Sequence, residues 1–234
     1  MTVTDFHSHI LPATDHGCDG IAECILQLQL MSEHGTEIAV ATPHFYPHIH
    51  RVDKLVESID SAISEIRGAN IKLPLGIAIG AEVLLCDGLD QMEGLERLCI
   101  RGTKTLLLEM PPSPIGEATC DTVENIISNG YTVVLAHIDR YLKSDPRGVE
   151  ELLSLGAYAQ INSSSFLSHS TRNKLYRYIE DGDTVCAIGS DLHGCNKKLY
   201  KGFLKAQKIL GNEFEKIMSR SDKLLSGAEM LYLK

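Results

Sequence analysis

Short runs of β-branched and apolar residues alternate along this chain with longer amphipathic stretches. The runs TVTDF (2–6), EIAVAT (37–42), LGIAIG (75–80), TLLLEM (105–110), TVVLAH (132–137), AYAQIN (157–162) and TVCAIG (184–189) read as strands. Between the first two, IAECILQLQLMSEHG places Ile21, Cys24, Ile25, Leu28 and Met31 at the spacing of one helix face, and Gly35 can end that helix. Val52, Leu55, Val56, Ile59, Ile63 and Ile66 form a second such face, with Gly68 after it. Further helices are expected near 117–129, 146–155, 170–181 and 198–219. Strands alternating with helices imply a parallel sheet. About seven such units favour one α/β domain over residues 1–234, a barrel of the TIM type.

Composition narrows the class. Hydrophobic residues make up 44% of the 234 positions and charged residues 23%, enough for a full core without disulfide or metal staples. The formal net charge of −9 argues against a basic groove for nucleic acid. The seven cysteines are an odd number with no C-x-x-C pair, which suits free thiols in a reducing compartment. No signal-peptide pattern and no bilayer-length apolar run is present. The expectation is a cytoplasmic protein that meets a membrane only peripherally, through a partner. A homo-oligomer is compatible with this reading.

The chemistry lies at the strand ends. His7 and His9 follow the first strand, with His16 shortly after, and His44 follows the second in ATPHFYP. Glu82 follows the third, Glu109 ends the fourth, His137 ends the fifth, and Asp191 and His193 follow the seventh. The sixth breaks the run with Asn162 and Ser163. In a β/α barrel the carboxyl ends of all strands open on one face, so these scattered groups would converge. They are the donor set of a hydrolytic divalent-metal site. Any one of them alone reads better as an ordinary hydrogen-bonded loop residue; the joint pattern does not. His34 suits a helix C-terminus, His48 and His50 read as mouth-lining residues, and His169 has no such setting. The cysteines read as structural. C-x5-R, G-x-S-x-G and G-x-x-x-x-G-K-[ST] are all missing, which removes the thiol phosphatase loop, the serine elbow and the P-loop.

The ordered set DFHSHILPATDHG, ATPHFYP, GAE, LLLEMP, AHIDRY, QINSSS and GSDLHG resembles the polymerase-and-histidinol-phosphatase (PHP) superfamily. Within it, the set is similar to the bacterial manganese-dependent tyrosine phosphatases of capsule and exopolysaccharide operons. The resemblance runs from about residue 4 to SDKLLSGAE near the C-terminus. It implies a distorted seven-stranded (β/α)7 TIM-like barrel of PHP type holding two or three divalent metals. His7, His9, Glu82 and Asp191 would hold the first metal. Glu82 would bridge to a second, completed by Glu109 and His137, and His16, His44 and His193 would hold the third. Arg140, in AHIDRY, would bind the phosphate.

Two positions depart from that pattern. Asp15-His16-Gly17 stands where those tyrosine phosphatases read D-D-G, which makes the third site richer in nitrogen. Manganese is the expected metal, and three imidazoles also suit iron or zinc rather than magnesium. Lys197 and Lys198 stand near where relatives carry an Arg, and a Lys attracts phosphate as a point charge without the bidentate grip.

The function expected is phosphomonoester hydrolysis, in which a metal-bridging hydroxide attacks phosphorus in line and Arg140 neutralises the equatorial oxygens. The expected substrate is the phosphotyrosine tail of a bacterial tyrosine kinase of capsular or exopolysaccharide synthesis, reaching a mouth lined by Phe45, Tyr46 and Tyr141. The alternatives are a small-molecule phosphoesterase, such as a histidinol-phosphate phosphatase, and a non-catalytic metal-binding barrel.

Overall fold

The computed structural model describes residues 2–180 and 182–233. Each expected strand is present; the first is shifted two residues on, and the others are trimmed at one or both ends. They are β1 (Thr4–Ser8), β2 (Ile38–Ala41), β4 (Leu75–Ile79), β6 (Thr105–Glu109), β7 (Thr132–Leu135), β8 (Tyr158–Asn162) and β9 (Val185–Gly189). Three more were not expected: β3 (His44–Phe45), β5 (Glu82–Leu84) and β10 (Met230–Leu233).

The strands form two sheets, ordered β1-β2-β4-β10 and β3-β5-β6-β7-β8-β9. Every pairing is parallel except β10 against β4. The division has a local cause. Pro43, between β2 and β3, has no N–H to give a ladder, and Gly80-Ala81 interrupts the next line between β4 and β5. Across these breaks single bonds continue the stitching, Gly80 N–H to Ala41 O at 2.9 Å and Glu82 N–H to Pro43 O at 3.0 Å. On the other side, β9 returns to β1 through one parallel bridge, Ser8 with Leu192. Among the described residues the seven expected strands are thus joined by three short ones, and the ten together form two sheets.

Helices follow the strands as the periodicity requires: α1 (Ile21–Glu33), α2 (Val52–Gly68), α3 (Glu117–Ser128), α4 (Pro146–Ser154) and α5 (His169–Glu180). Gly68 closes α2 from inside the helix, and the expected end of α5 at 181 lies outside the described residues. The single helix expected over 198–219 is two, α6 (Lys197–Leu210) and α7 (Asn212–Leu224). Gly211 separates them at φ 52°, a left-handed conformation that ends a helix and that glycine adopts without a Cβ penalty.

Side chains alternate across the strands. Phe6, Val40, Ala78, Leu107, Val134 and Ala187, drawn from both sheets, meet in one inner apolar cluster with Leu225. Leu106, Leu108, Val133 and Leu135 face outward into the larger cluster shared with the helices. Because the strand period is two, Glu109 lies on the same inner face as Leu107.

Candidate metal centre

Eight of the nine expected ligands meet directly above the inner apolar cluster. His7 lies within β1, His44 within β3 and Glu82 within β5, while His9, His137, Asp191 and His193 sit on the turns that leave the strands. Glu82 is the hub. Its Oε2 is 3.2 Å from His7 Nε2, 3.3 Å from His9 Nε2 and 2.9 Å from His44 Nδ1, and its Oε1 is 2.8 Å from His137 Nε2. Asp191 Oδ1 is 3.5 Å from His9 Nε2 and 3.8 Å from His7 Nε2, and Glu109 Oε1 is 3.7 Å from His137 Nε2. Three groups have donor atoms mutually close enough to share an ion: His7-His9-Glu82, His44-Glu82-Glu109 and His9-His44-His193.

His16 stands apart. It is exposed and, among the described residues, its contacts are with rings, centroid to centroid 4.8 Å from both His44 and His193. The tight trio at that corner contains His9 where the sequence places His16.

The donors fit a divalent metal on a specific ground. His7 Nδ1 faces Gln160 Oε1 at 3.1 Å, and His9 Nδ1 faces Asp15 Oδ2 at 2.7 Å. Both partners are acceptors, so each imidazole carries its proton on Nδ1, as assigned from this network. The two Nε2 lone pairs are then turned toward each other, 3.1 Å apart, and toward Glu82. His44 Nδ1 and Glu82 Oε2 are buried without a hydrogen bond of acceptable geometry, despite their separation of 2.9 Å. Buried lone pairs in mutual contact call for a cation.

The local field agrees. Burial opposes charge on His7, but Glu82 and Asp191 outweigh it and raise its pKa. Burial would also raise the Glu82 pKa, yet the charge of His7 and the hydrogen bond from His137 hold it well below the carboxylate range. Glu109 goes the other way: burial, then the charge of Glu82, raise its pKa. A site that stabilises both carboxylates and positive charge on imidazole is electrostatically prepared for a cation.

Arg140 reaches this cluster from the turn after β7. Its guanidinium pairs with Asp191 and approaches His137 Nε2 at 3.4 Å, with about half the side chain exposed. Lys197 and Lys198 are exposed in the first turn of α6 and make no hydrogen bond or ion pair with the cluster among the described residues. Phe45, expected at the mouth, is fully buried in the larger core cluster, because it lies on the face of β3 opposite His44, turned toward the helices. Tyr46 stacks on His44 at 5.4 Å, and the Tyr141 hydroxyl donates to Met110 O at 2.7 Å. His34 caps α1 through Leu30 O, and His50 accepts the Tyr46 N–H. All seven cysteines are free, six of them with thiols that burial, neighbouring carboxylates or a neighbouring cysteine hold above the ordinary range.

The sequence reading missed the residues behind the ligands. Asp15 accepts from His9 Nδ1–H and also from the backbone N–H of His44 at 3.0 Å. Gln27, buried on α1, donates to His9 O, Gly17 O and Gly194 O, tying the His16 loop to the His193 loop. Gln160 and Asn162 sit on β8, the sixth of the seven expected strands, which ends without a candidate ligand. A polar residue inside a strand that is otherwise buried was the available signal.

Fold and site together define an α/β protein that gathers a candidate metal centre at the carboxyl ends of parallel strands. The chain belongs to the CpsB/CapC family of capsular polysaccharide synthesis, which it matches over residues 3–226. CapC of Staphylococcus aureus is 31% identical over 208 residues, 84% of this chain and 79% of that one. The tyrosine-protein phosphatase CpsB of Streptococcus agalactiae is 27% identical over 223 residues, 91% of each chain. Among solved structures, one describing YwqE of Bacillus subtilis and CpsB of Streptococcus pneumoniae as metal-dependent tyrosine phosphatases superimposes with a TM-score of 0.80. It is 21% identical, covering 98% of this chain and 96% of that one.

Proposed function

We propose that this chain is a metal-dependent protein-tyrosine phosphatase whose whole length forms one PHP-type domain, the two sheets acting together as a distorted barrel. The observation that carries the proposal is the pair of Nε2 lone pairs on His7 and His9, fixed toward Glu82 by acceptors behind each ring. The names of the relatives CpsB and YwqE support the tyrosine phosphatase reading.

His7, His9, Glu82 and Asp191 would hold one ion, Glu82, Glu109 and His137 a second, and His44 and His193, with His16 swung inward, a third. Manganese is the favoured metal, with iron or zinc compatible with the nitrogen-rich corner. Bound there, the metals would supply an activated water and neutralise phosphate charge. The protein supplies the rest. Arg140, on the open side of the cluster, is placed to bind the equatorial phosphate oxygens. Burial of His7, His9 and Glu82 excludes bulk water from the reacting face and strengthens those charge interactions. Phenolate is a good leaving group, so no side chain is required as a strong general acid.

A cleft of about 320 Å³ beside His44, lined by Ile49, His50, Arg51 and Lys54, leaves room for residues flanking a phosphotyrosine. This suits the flexible tail of a bacterial tyrosine kinase of capsular or exopolysaccharide synthesis. No described helix is long and apolar enough to cross a membrane. We place the enzyme in the cytoplasm, near a membrane only through such a partner.

The test is a panel of phosphotyrosine peptide, histidinol phosphate and nucleotide monophosphate assayed with added manganese. Preference for the peptide supports the proposal. Preference for histidinol phosphate would replace it with the small-molecule reading on the same metals.

A further inference from the structure

Strand β8 contributes no ligand, yet it touches three of them. Gln160 Oε1 accepts His7 Nδ1–H at 3.1 Å and the backbone N–H of His137 at 2.6 Å. Its amide nitrogen donates to Asn162 Oδ1 at 3.1 Å, and Asn162 Nδ2 in turn donates to Asp191 Oδ2 at 3.1 Å. The amide orientation is therefore fixed at both ends. Gln160 is fully buried.

Each contact has a geometric consequence. The bond to His7 holds the proton on Nδ1 and turns Nε2 toward Glu82. The bond to His137 satisfies a buried N–H on a residue at φ 33°, ψ 55°, a left-handed conformation that a non-glycine residue adopts only when its surroundings impose it. That conformation swings the His137 ring back to Glu82 Oε1. The packing is close: a Cβ at Gly189 would lie 2.5 Å from His7 Cβ and 2.8 Å from Gln160 Nε2.

We infer that Gln160 is a positioning residue that sets His7 and His137 together, so that the first and second metal ions bind as one coupled pair. The inference rests on the metal centre proposed above. His7 belongs to the first ion and His137 to the second, and one carbonyl oxygen orients both. His44 and His193 receive nothing from Gln160, so the third corner is independent of it.

Manganese binding, read from the electron paramagnetic resonance signal of free Mn2+, tests this on the full-length protein. Gln160→Leu removes both acceptor contacts and should weaken the first and second sites together, by roughly 10- to 100-fold, the usual effect of losing an outer-shell partner. Gln160→Glu keeps an acceptor for both and should bind within about threefold of the parent. Gln160→Asn keeps the amide but falls one methylene short; it should lose binding as Leu does, and it replaces Leu if that variant does not fold. Circular dichroism should stay unchanged in the folded variants.

Parent-like manganese binding by folded Gln160→Leu or Gln160→Asn would overturn the inference. So would an equal loss in Gln160→Glu, which would assign the effect to packing, or a loss confined to one site. If the parent itself binds neither manganese nor zinc, the metal centre fails and the inference fails with it. A parent that binds alongside indifferent variants sinks the inference alone.

Discussion

The Asp15 carboxylate holds two ligands at once: Oδ2 accepts His9 Nδ1–H at 2.7 Å and the His44 backbone N–H at 3.0 Å. Burial pushes the Asp15 pKa up, but the bond and charge from His9 and the N–H groups of Gly17 and His44 pull it well below its ordinary value. Asp15→Asn keeps the size and removes the charge. Metal affinity should fall roughly 10- to 100-fold, measured by competition with a chromophoric chelator. Parent-like affinity would mean that Asp15 does not orient these ligands.

Stripping the metals should abolish turnover of phosphotyrosine peptide. Manganese, cobalt or iron should restore it better than magnesium, because imidazoles outnumber carboxylates in the donor set. Full activity in excess chelator would count against the metal centre.

Arg140→Ala should lower kcat/KM by roughly 100-fold, a loss of about 3 kcal/mol of transition-state stabilisation. Its metal content should match the parent, since Arg140 contacts ligands without being one. Lys197→Ala and Lys198→Ala should each cost less than about tenfold, and their effects should shrink as salt rises. An Arg140→Ala enzyme that fails only through metal loss would invalidate the assignment.

Cys195 is exposed beside the His193 turn, and Cys18 lies buried after His16. Cys195→Ser should leave most of the activity, and so should alkylation of the accessible thiols. Complete loss of turnover with metal retained would point to a thiol nucleophile instead.

Gly189→Ala tests how tightly the ligand strands are packed. The added methyl must displace the His7 Cβ or the Gln160 amide. Overpacking of this kind costs about 1–3 kcal/mol, visible as a lower Tm in the metal-free protein. An unchanged Tm would show that the backbone there yields freely.

The sequence by itself determined which side chains stand at the strand ends as candidates for the site. Period-two and helical spacings located seven strands and most helices, and the polar residues at strand ends named a candidate donor set, because local geometry alone dictates which residues close a strand. What the sequence left undecided is non-local. His44 and Glu82 lie in short strands of their own because Pro43 and Gly80-Ala81 interrupt the ladders, and the strands that then form pair with segments distant in the chain. Phe45 reads as a mouth residue from its neighbours, and only its place on the helix-facing side of β3 buries it. Gly211 divides one amphipathic pattern into two helices because its backbone leaves the helical region. Gln27 and Gln160 carry no recognisable spacing, and Asp15 and Asn162, though placed by motif and strand end, show no partner in the sequence. The roles of Gln27 and Gln160 exist only where folding brings α1 and β8 against the turns that carry the histidines, since a hydrogen bond across more than a hundred residues leaves no periodic trace in the sequence.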